Sequence, residues 1–294
     1  MNSPPKNPLV PRESQPDPNA ATPPASSELL SPAAAVFEAA SSVPTPVSDA
    51  APPDPAWNGW DVLRIFVIAV VLLFATVFLL FAFVSGSTFK QRADRLSAMP
   101  ELLLVAQMVA YLALLGYMYI LVTRERGRPR FWQTIHWNWP SNLWPCLFGG
   151  FCLQAVVIGV EHFLPFPNNT PFESLLKRPL SVVLIAAFSV TLGPLMEELF
   201  FRAFLYPVLA HRFGVAAGIA ISASGFALMH AAQYGYSWAS VLLILIVGVV
   251  LGWVRERQDS VAAGFLVHVA YNGTIILLMF AATGGFRHLE RLNQ

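Results

Sequence analysis

The run Glu197-Glu198-Leu199-Phe200-Phe201-Arg202 places three formal charges inside a long apolar stretch. Glu198 and Arg202 stand at i and i+4, on one helix face and in the favourable order for an ion pair. Glu197 is turned about 100° from its neighbour and finds no local partner, an arrangement suited to a general base. Downstream, Phe226-Ala227-Leu228-Met229-His230 sets an aromatic ring one turn ahead of a histidine. His268-Val269-Ala270-Tyr271-Asn272 puts a His and an Asn on one face, where two donors turned toward one cavity can hold a developing oxyanion. Singly, each group has a structural explanation: a salt-bridged helix end, a core histidine, an interhelical hydrogen bond. Together they are two carboxyls, two imidazoles and an amide in otherwise apolar segments. An ionisable group inside a bilayer costs at least roughly 2.5–3.5 kcal/mol, so such a gathering points to function.

The elements that must position these groups are membrane helices. Of 294 residues, 55% are hydrophobic and 12% charged, with mean hydropathy +0.56. A soluble domain carries roughly 25% charge, so a conventional water-soluble fold, a disordered chain and a coiled coil are excluded. A helix needs about 20 residues to cross about 30 Å of hydrocarbon. Seven stretches qualify: 62–84, 101–122, 143–164, 180–206, 215–232, 237–254 and 261–281. The first starts too far into the chain, and is too long, for a cleaved signal; it is expected to remain as a span. The fold class expected is all-α, a polytopic membrane bundle of about seven transmembrane helices with a disordered Pro/Ala-rich N-terminal tail. Residues 1–58 hold 14 of the 24 prolines and carry two basic against six acidic residues, a composition that cannot offset ordering entropy. The expected divisions are that tail at 1–58, three N-terminal spans at 59–179, a core of four spans at 180–285, and a C-terminal tail at 286–294.

Several local features follow. Gly193-Pro194 in the fourth stretch predicts a kink near 190–194, and Pro207 predicts its end. Non-helical backbone at membrane depth is tolerated only beside protein or water, so the kink predicts a cavity. Phe131 to Trp144 reads as an interfacial aromatic belt. Gly214-x-x-x-Gly218 and Gly248-x-x-x-Gly252 read as close-packing sites. Cys146 and Cys152 read as small apolar residues rather than a disulfide or a zinc pair. Arg64, Glu101, Glu161 and His162, near helix ends, are expected to reach the interface. The formal charge of +1 gives no patch for nucleic acid. The Arg124–Arg130 cluster favours a cytoplasmic N-terminus, in a bacterial inner (cell) membrane. With these spans Glu197 lies about nine residues from its inner helix end, His268 about seven and His230 about fifteen, so the three differ in depth. Either the fifth span starts later, or the fourth unwinds around Pro194.

The ordered set Glu197-Glu198-x-x-x-Arg202, Phe226-x-x-x-His230 and His268-x-x-x-Asn272 resembles the three motifs of the CPBP family of intramembrane proteases, named for CAAX proteases and bacteriocin-processing enzymes. The flanks agree: Gly193-Pro194-Leu195-Met196 before the paired Glu, and the short Arg255–Ser260 turn before the last span. The resemblance covers roughly residues 180–281. It implies an endopeptidase (a hydrolase) that cleaves a membrane-anchored or prenylated peptide or protein near its C-terminus. It implies that Glu197 activates water with His230 assisting, that His268 and Asn272 stabilise the oxyanion, and that Glu198 and Arg202 orient the site. The ligand arithmetic disfavours a metal: there is no His-Glu-x-x-His, and the two histidines are 38 residues apart. The expectation is no cofactor, with zinc on His230, His268 and Glu197 as the alternative.

Two other classes compete. In a non-catalytic interaction, immunity or secretion-support protein of the same fold, the polar groups would only lock helices together. In a proton-coupled transporter, Glu197 and Glu198 would form a relay, but no inverted repeat is visible.

Overall fold

The computed structural model describes residues 55–165, 170–176 and 178–290. Residues 1–54 of the expected N-terminal tail, and 291–294 of the C-terminal one, lie outside them. Among the described residues the chain is all-α, and seven helices are long and apolar enough to cross a membrane. The protein is an integral membrane protein.

The first crossing, α1 (Gly59–Phe83), starts three residues before the expected boundary because Asn58 caps it. Its side chain accepts from the Trp60 and Asp61 amides, while Asp61 accepts from the Asn58 amide, a reciprocal capping box. The last residues of the expected tail are engaged as well. Trp57 is buried, its indole N–H donates to the Phe204 carbonyl at 2.9 Å, and its ring lies 4.7 Å from that of Phe204. The polar helix α2 (Phe89–Ser97) leads to the second crossing, α3 (Pro100–Ile120), which ends in a π-turn over Leu121–Glu125. Arg64 and Glu125 pair at 2.8 and 3.1 Å, and Glu101 accepts from Ser181 at 2.6 Å. These helix-end charges thus have partners.

The aromatic segment begins with a short helix, α4 (Phe131–Thr134). Trp132, Trp137 and Trp139 run edge to face at 5.3 and 5.8 Å, while Phe131 and Ile135 are buried. The belt therefore has a second job. The His136 carbonyl accepts from the Val261 amide at 2.9 Å, and Asn138 donates to the Asp259 carbonyl at 3.0 Å. This holds the turn before the last crossing.

The third crossing is α5 (Trp144–Glu161); Cys146 and Cys152 on it are free thiols. A one-turn helix, α6 (Pro171–Leu175), precedes the fourth crossing, which spans Pro179–Phe213. That crossing is composite: α7 (Pro179–Ser189), a break at Val190–Thr191, α8 (Leu192–Glu198), a π-helical stretch over Leu199–Leu205, and α9 (Tyr206–Phe213). The break falls just before Gly193-Pro194, so the missing N–H of Pro194 lies in a first turn, where amides lack helical partners anyway. Pro207 does not end the crossing. It sits in the first turn of α9, where the π-stretch has already interrupted the ordinary register.

α10 (Val215–His230, with a 3₁₀ turn to Tyr234), α11 (Trp238–Gln258) and α12 (Val261–Ala282) complete the bundle. Arg255 to Gln258 are the last turn of α11, and the expected Arg255–Ser260 turn shrinks to Asp259 and Ser260. Gly214 is not a packing residue: its φ of +86° makes the turn between α9 and α10, and a Cβ there would meet nothing. Gly218, Gly248 and Gly252 do pack, against Ala210, Ala223 and Ile219.

The tightest approach joins α5 to α12. A Cβ on Gly150 would lie 2.3 Å from the Val267 carbonyl and 2.6 Å from the Ala270 Cβ. Backbone cannot yield there as a flexible side chain would, so Gly150→Val is expected to cost about 1–3 kcal/mol. A lowered unfolding midpoint in detergent would register it. A wild-type midpoint would contradict the contact.

Candidate active site

The α9–α10 hairpin turns at Gly214, so residues at similar distances from the turn meet. Glu197 precedes Phe213 by 16 residues and His230 follows Val215 by 15. This removes the expected mismatch in depth. The fifth crossing starts where expected, but the fourth runs seven residues past 206 and carries Glu197 to the level of His230. α12 begins beneath the aromatic segment, with Val261 buried, so His268 reaches that level only seven residues into its helix.

Glu197 is the meeting point. One carboxylate oxygen lies 3.6 Å from His230 Nε2 and the other 3.5 Å from His268 Nε2. Both rings are held from behind. His230 Nδ1 lies 2.8 Å from the Phe226 carbonyl, one turn back on α10. A carbonyl only accepts, so Nδ1 carries the hydrogen and the neutral ring turns its Nε2 lone pair toward Glu197. His268 Nδ1 lies 3.0 Å from Glu198 Oε1, which fixes the same tautomer if Glu198 is ionised. The two Glu197–imidazole separations are slightly long for direct hydrogen bonds. They suit a shared proton or a bridging water.

Glu198 and Arg202 stand behind this group, both fully buried. They pair at 3.2 Å, and Arg202 also donates to the Gly248 carbonyl at 3.1 Å. The guanidinium carbon stands 4.5 Å from the centroid of Phe226, whose ring lies 4.7 Å from His230 and 5.8 Å, edge-on, from His268. Phe226 therefore touches Arg202 and both imidazoles at once. The other Glu198 oxygen has no hydrogen-bond partner and lies where a Cβ on Gly264 would be 2.9 Å away. Gly264 leaves the room this carboxylate occupies.

Asn272 lies two half-turns beyond His268 on α12 and its Nδ2 donates to the Ser189 carbonyl at 2.7 Å. That carbonyl is freed where α7 breaks, so Asn272 satisfies a backbone acceptor at membrane depth. Its second N–H remains. Glu197, His230, His268 and Asn272 all line one cavity of about 210 Å³, whose other walls are mainly apolar, with Phe172, Phe188 and Met279 among them. The kink does accompany a cavity. The structure thus brings together all six residues singled out in the sequence.

It also adds partners that the spacing did not reveal: the Gly248, Phe226 and Ser189 carbonyls, Gly264, and the cavity residues Gln233 and Tyr234. Backbone acceptors carry no residue-type signal. Gly248 stood out only as a small residue.

Two imidazoles with Nδ1 engaged and Nε2 turned toward a carboxylate have the outer bonds usual for zinc ligands. Yet among the described residues no three His, Cys, Asp or Glu side chains form a group that could hold a metal ion. We derive no step through a metal.

Residues 179–274, about a third of the chain, match the family model described as type II CAAX prenyl endopeptidase Rce1-like. The match contains all six motif residues and bears out the resemblance read from the sequence. No curated protein and no solved structure matches the chain.

Proposed function

We propose that the chain is an intramembrane endopeptidase that hydrolyses a peptide bond in a membrane-associated substrate, of CAAX type or with another C-terminal target sequence. The match over residues 179–274 supports the reaction class. One observation carries the mechanism: Glu197 faces two imidazole nitrogens at the wall of a largely apolar cavity.

Glu197 takes a proton from water as the water oxygen bonds to the scissile carbonyl carbon. His230, oriented by the Phe226 carbonyl, receives or returns that proton. The oxyanion is held by the second N–H of Asn272 and by His268 Nε2 when that ring carries both protons. Breaking the C–N bond then sends a proton to the leaving amine. Glu198 and Arg202 are positioning residues: they touch His268 and Phe226 rather than substrate. The mechanism we propose uses no metal. The Arg124–Arg130 cluster supports an N-terminus on the cytoplasmic side of a bacterial inner membrane.

The test is cleavage of a membrane-anchored or prenylated peptide by the full-length protein in proteoliposomes. Turnover is expected to vanish in Glu197→Ala and His230→Ala, to survive a strong chelator, and to occur without bound zinc. Turnover retained in both variants would sink the protease reading. Chelator-sensitive turnover with stoichiometric zinc would replace the metal-free step.

A further inference from the structure

Three consecutive residues of the aromatic segment grip the start of the last crossing. The His136 carbonyl accepts from the Val261 amide at 2.9 Å, the Trp137 ring lies 5.4 Å from that of Phe265, and Asn138 donates to the Asp259 carbonyl at 3.0 Å. The Ser260 hydroxyl donates to the Asn138 carbonyl and accepts from the Ala263 amide at 3.0 Å, so one side chain ties the segment to the first turn of α12. His136 Nδ1 also lies 2.8 Å from Asp259 Oδ1, which Arg255 Nη1 meets at 3.0 Å.

The backbone is strained on both sides of this joint. His136 has φ +58° and Asp259 φ +42°, left-handed conformations that glycine adopts freely and other residues resist. Glycine at either position would relieve the strain, but it would also remove one half of the His136–Asp259 contact. Such strain persists where the surroundings over-determine it, and it gathers at functional sites. What the joint controls is α12. His268 stands seven residues beyond Val261, about 10 Å along the helix. Its Nδ1 meets Glu198 at 3.0 Å while its Nε2 faces Glu197 at 3.5 Å. The contact at Gly150 brings α12 close to α5, but packing across a glycine face sets separation more than height. Hydrogen bonds to the start of the helix are directional and set its height.

We propose that His136 and Asn138 are positioning residues that fix the height of α12 and, through it, the place of His268 against Glu197 and Glu198. The proposal deepens the protease reading, on which its kinetic test rests; its spectroscopic test does not.

The full-length protein, labelled with ¹⁵N-histidine in lipid nanodiscs, is the probe. The His268 Nδ1–H, bonded to Glu198, is expected to give a strongly downfield proton resonance, assigned by its absence in His268→Gln. His136→Gly frees the backbone and leaves Asp259 paired with Arg255; Asn138→Ala removes one hydrogen bond. Each is expected to shift or lose the resonance and to lower kcat on a membrane-anchored peptide about tenfold to a hundredfold. KM should change little, and the unfolding midpoint should stay near that of the wild type. His136→Asn is expected to keep both resonance and kcat, because Asn Nδ2 is attached at the same distance from the backbone as His Nδ1 and Asn tolerates the left-handed conformation. Wild-type resonance and kcat in His136→Gly and Asn138→Ala overturn the proposal. So does a loss of activity that only follows a lowered midpoint, or one that His136→Asn shares in full. A wild type that turns over no peptide sinks the protease reading instead, and the resonance alone then decides the role of the joint.

Discussion

Replacing Glu197 by glutamine is expected to lower turnover of a membrane-anchored peptide by about 10²–10⁴-fold, the range of a lost general base. The amide has the size of the carboxylate, and its NH₂ can donate to a histidine Nε2 that now meets it at 3.5 or 3.6 Å. The fold should therefore hold, and the unfolding midpoint should stay near that of the wild type. Because a base acts on the transition state, the loss should appear in kcat with KM little changed. His230→Ala should show a loss of similar kind. The double variant should be scarcely worse than Glu197→Gln alone, since residues that act as a unit are not additive. A Glu197→Gln protein that keeps more than a tenth of wild-type turnover would end the assignment of Glu197 as base.

The largest stability effect should come from the pair behind it. Glu198 and Arg202 are sealed from solvent, and breaking a buried pair by removing one partner leaves the other charge unmatched. Arg202→Met is expected to destabilise the protein by about 3–5 kcal/mol. Adding Glu198→Gln should recover much of this, because two neutral side chains need no counter-charge. Unfolding in a mild detergent, followed by loss of helical signal against denaturant, reads both steps. A double variant as unstable as Arg202→Met would mean that the Gly248 and Phe226 contacts of Arg202 dominate over its charge. Activity need not return with stability, since His268 would have lost the carboxylate that orients its Nδ1.

The architecture was legible because its signals are local in sequence. Seven apolar stretches, most charges confined to their ends, and three tetrads at helical spacing specify helices and faces without any tertiary knowledge. The errors have physical causes. Trp57, placed in the expected tail, docks on Phe204, a partner far away in the chain, whereas the start of the last crossing stands at residue 261 as expected. The end of the fourth crossing was misplaced because Pro207 reads as a stop in an α-helical register, whereas the chain passes it in a π-helical one. Glu197 lacked a partner in sequence for a related reason. Its neighbours lie 33 and 71 residues away and become visible only when the Gly214 turn and α12 are in place. The commitment of one Asn272 N–H to Ser189 was equally hidden, because the acceptor is backbone.

The break at Val190–Thr191 bears on what can be cut. α7 has 11 residues, about 16 Å at 1.5 Å per residue, roughly half the depth of the hydrocarbon layer. The break, and the cavity beside it, thus lie well inside the bilayer. A transmembrane segment arriving there as a helix would keep its peptide carbonyls bonded to its own amides and sheathed in side chains. On the proposed chemistry, the bond to be cleaved must first leave that helix. Selection would then rest on how readily a substrate segment comes unwound at mid-depth as much as on which side chains it displays, and glycine, proline or a free chain end near the bond would count as recognition signals.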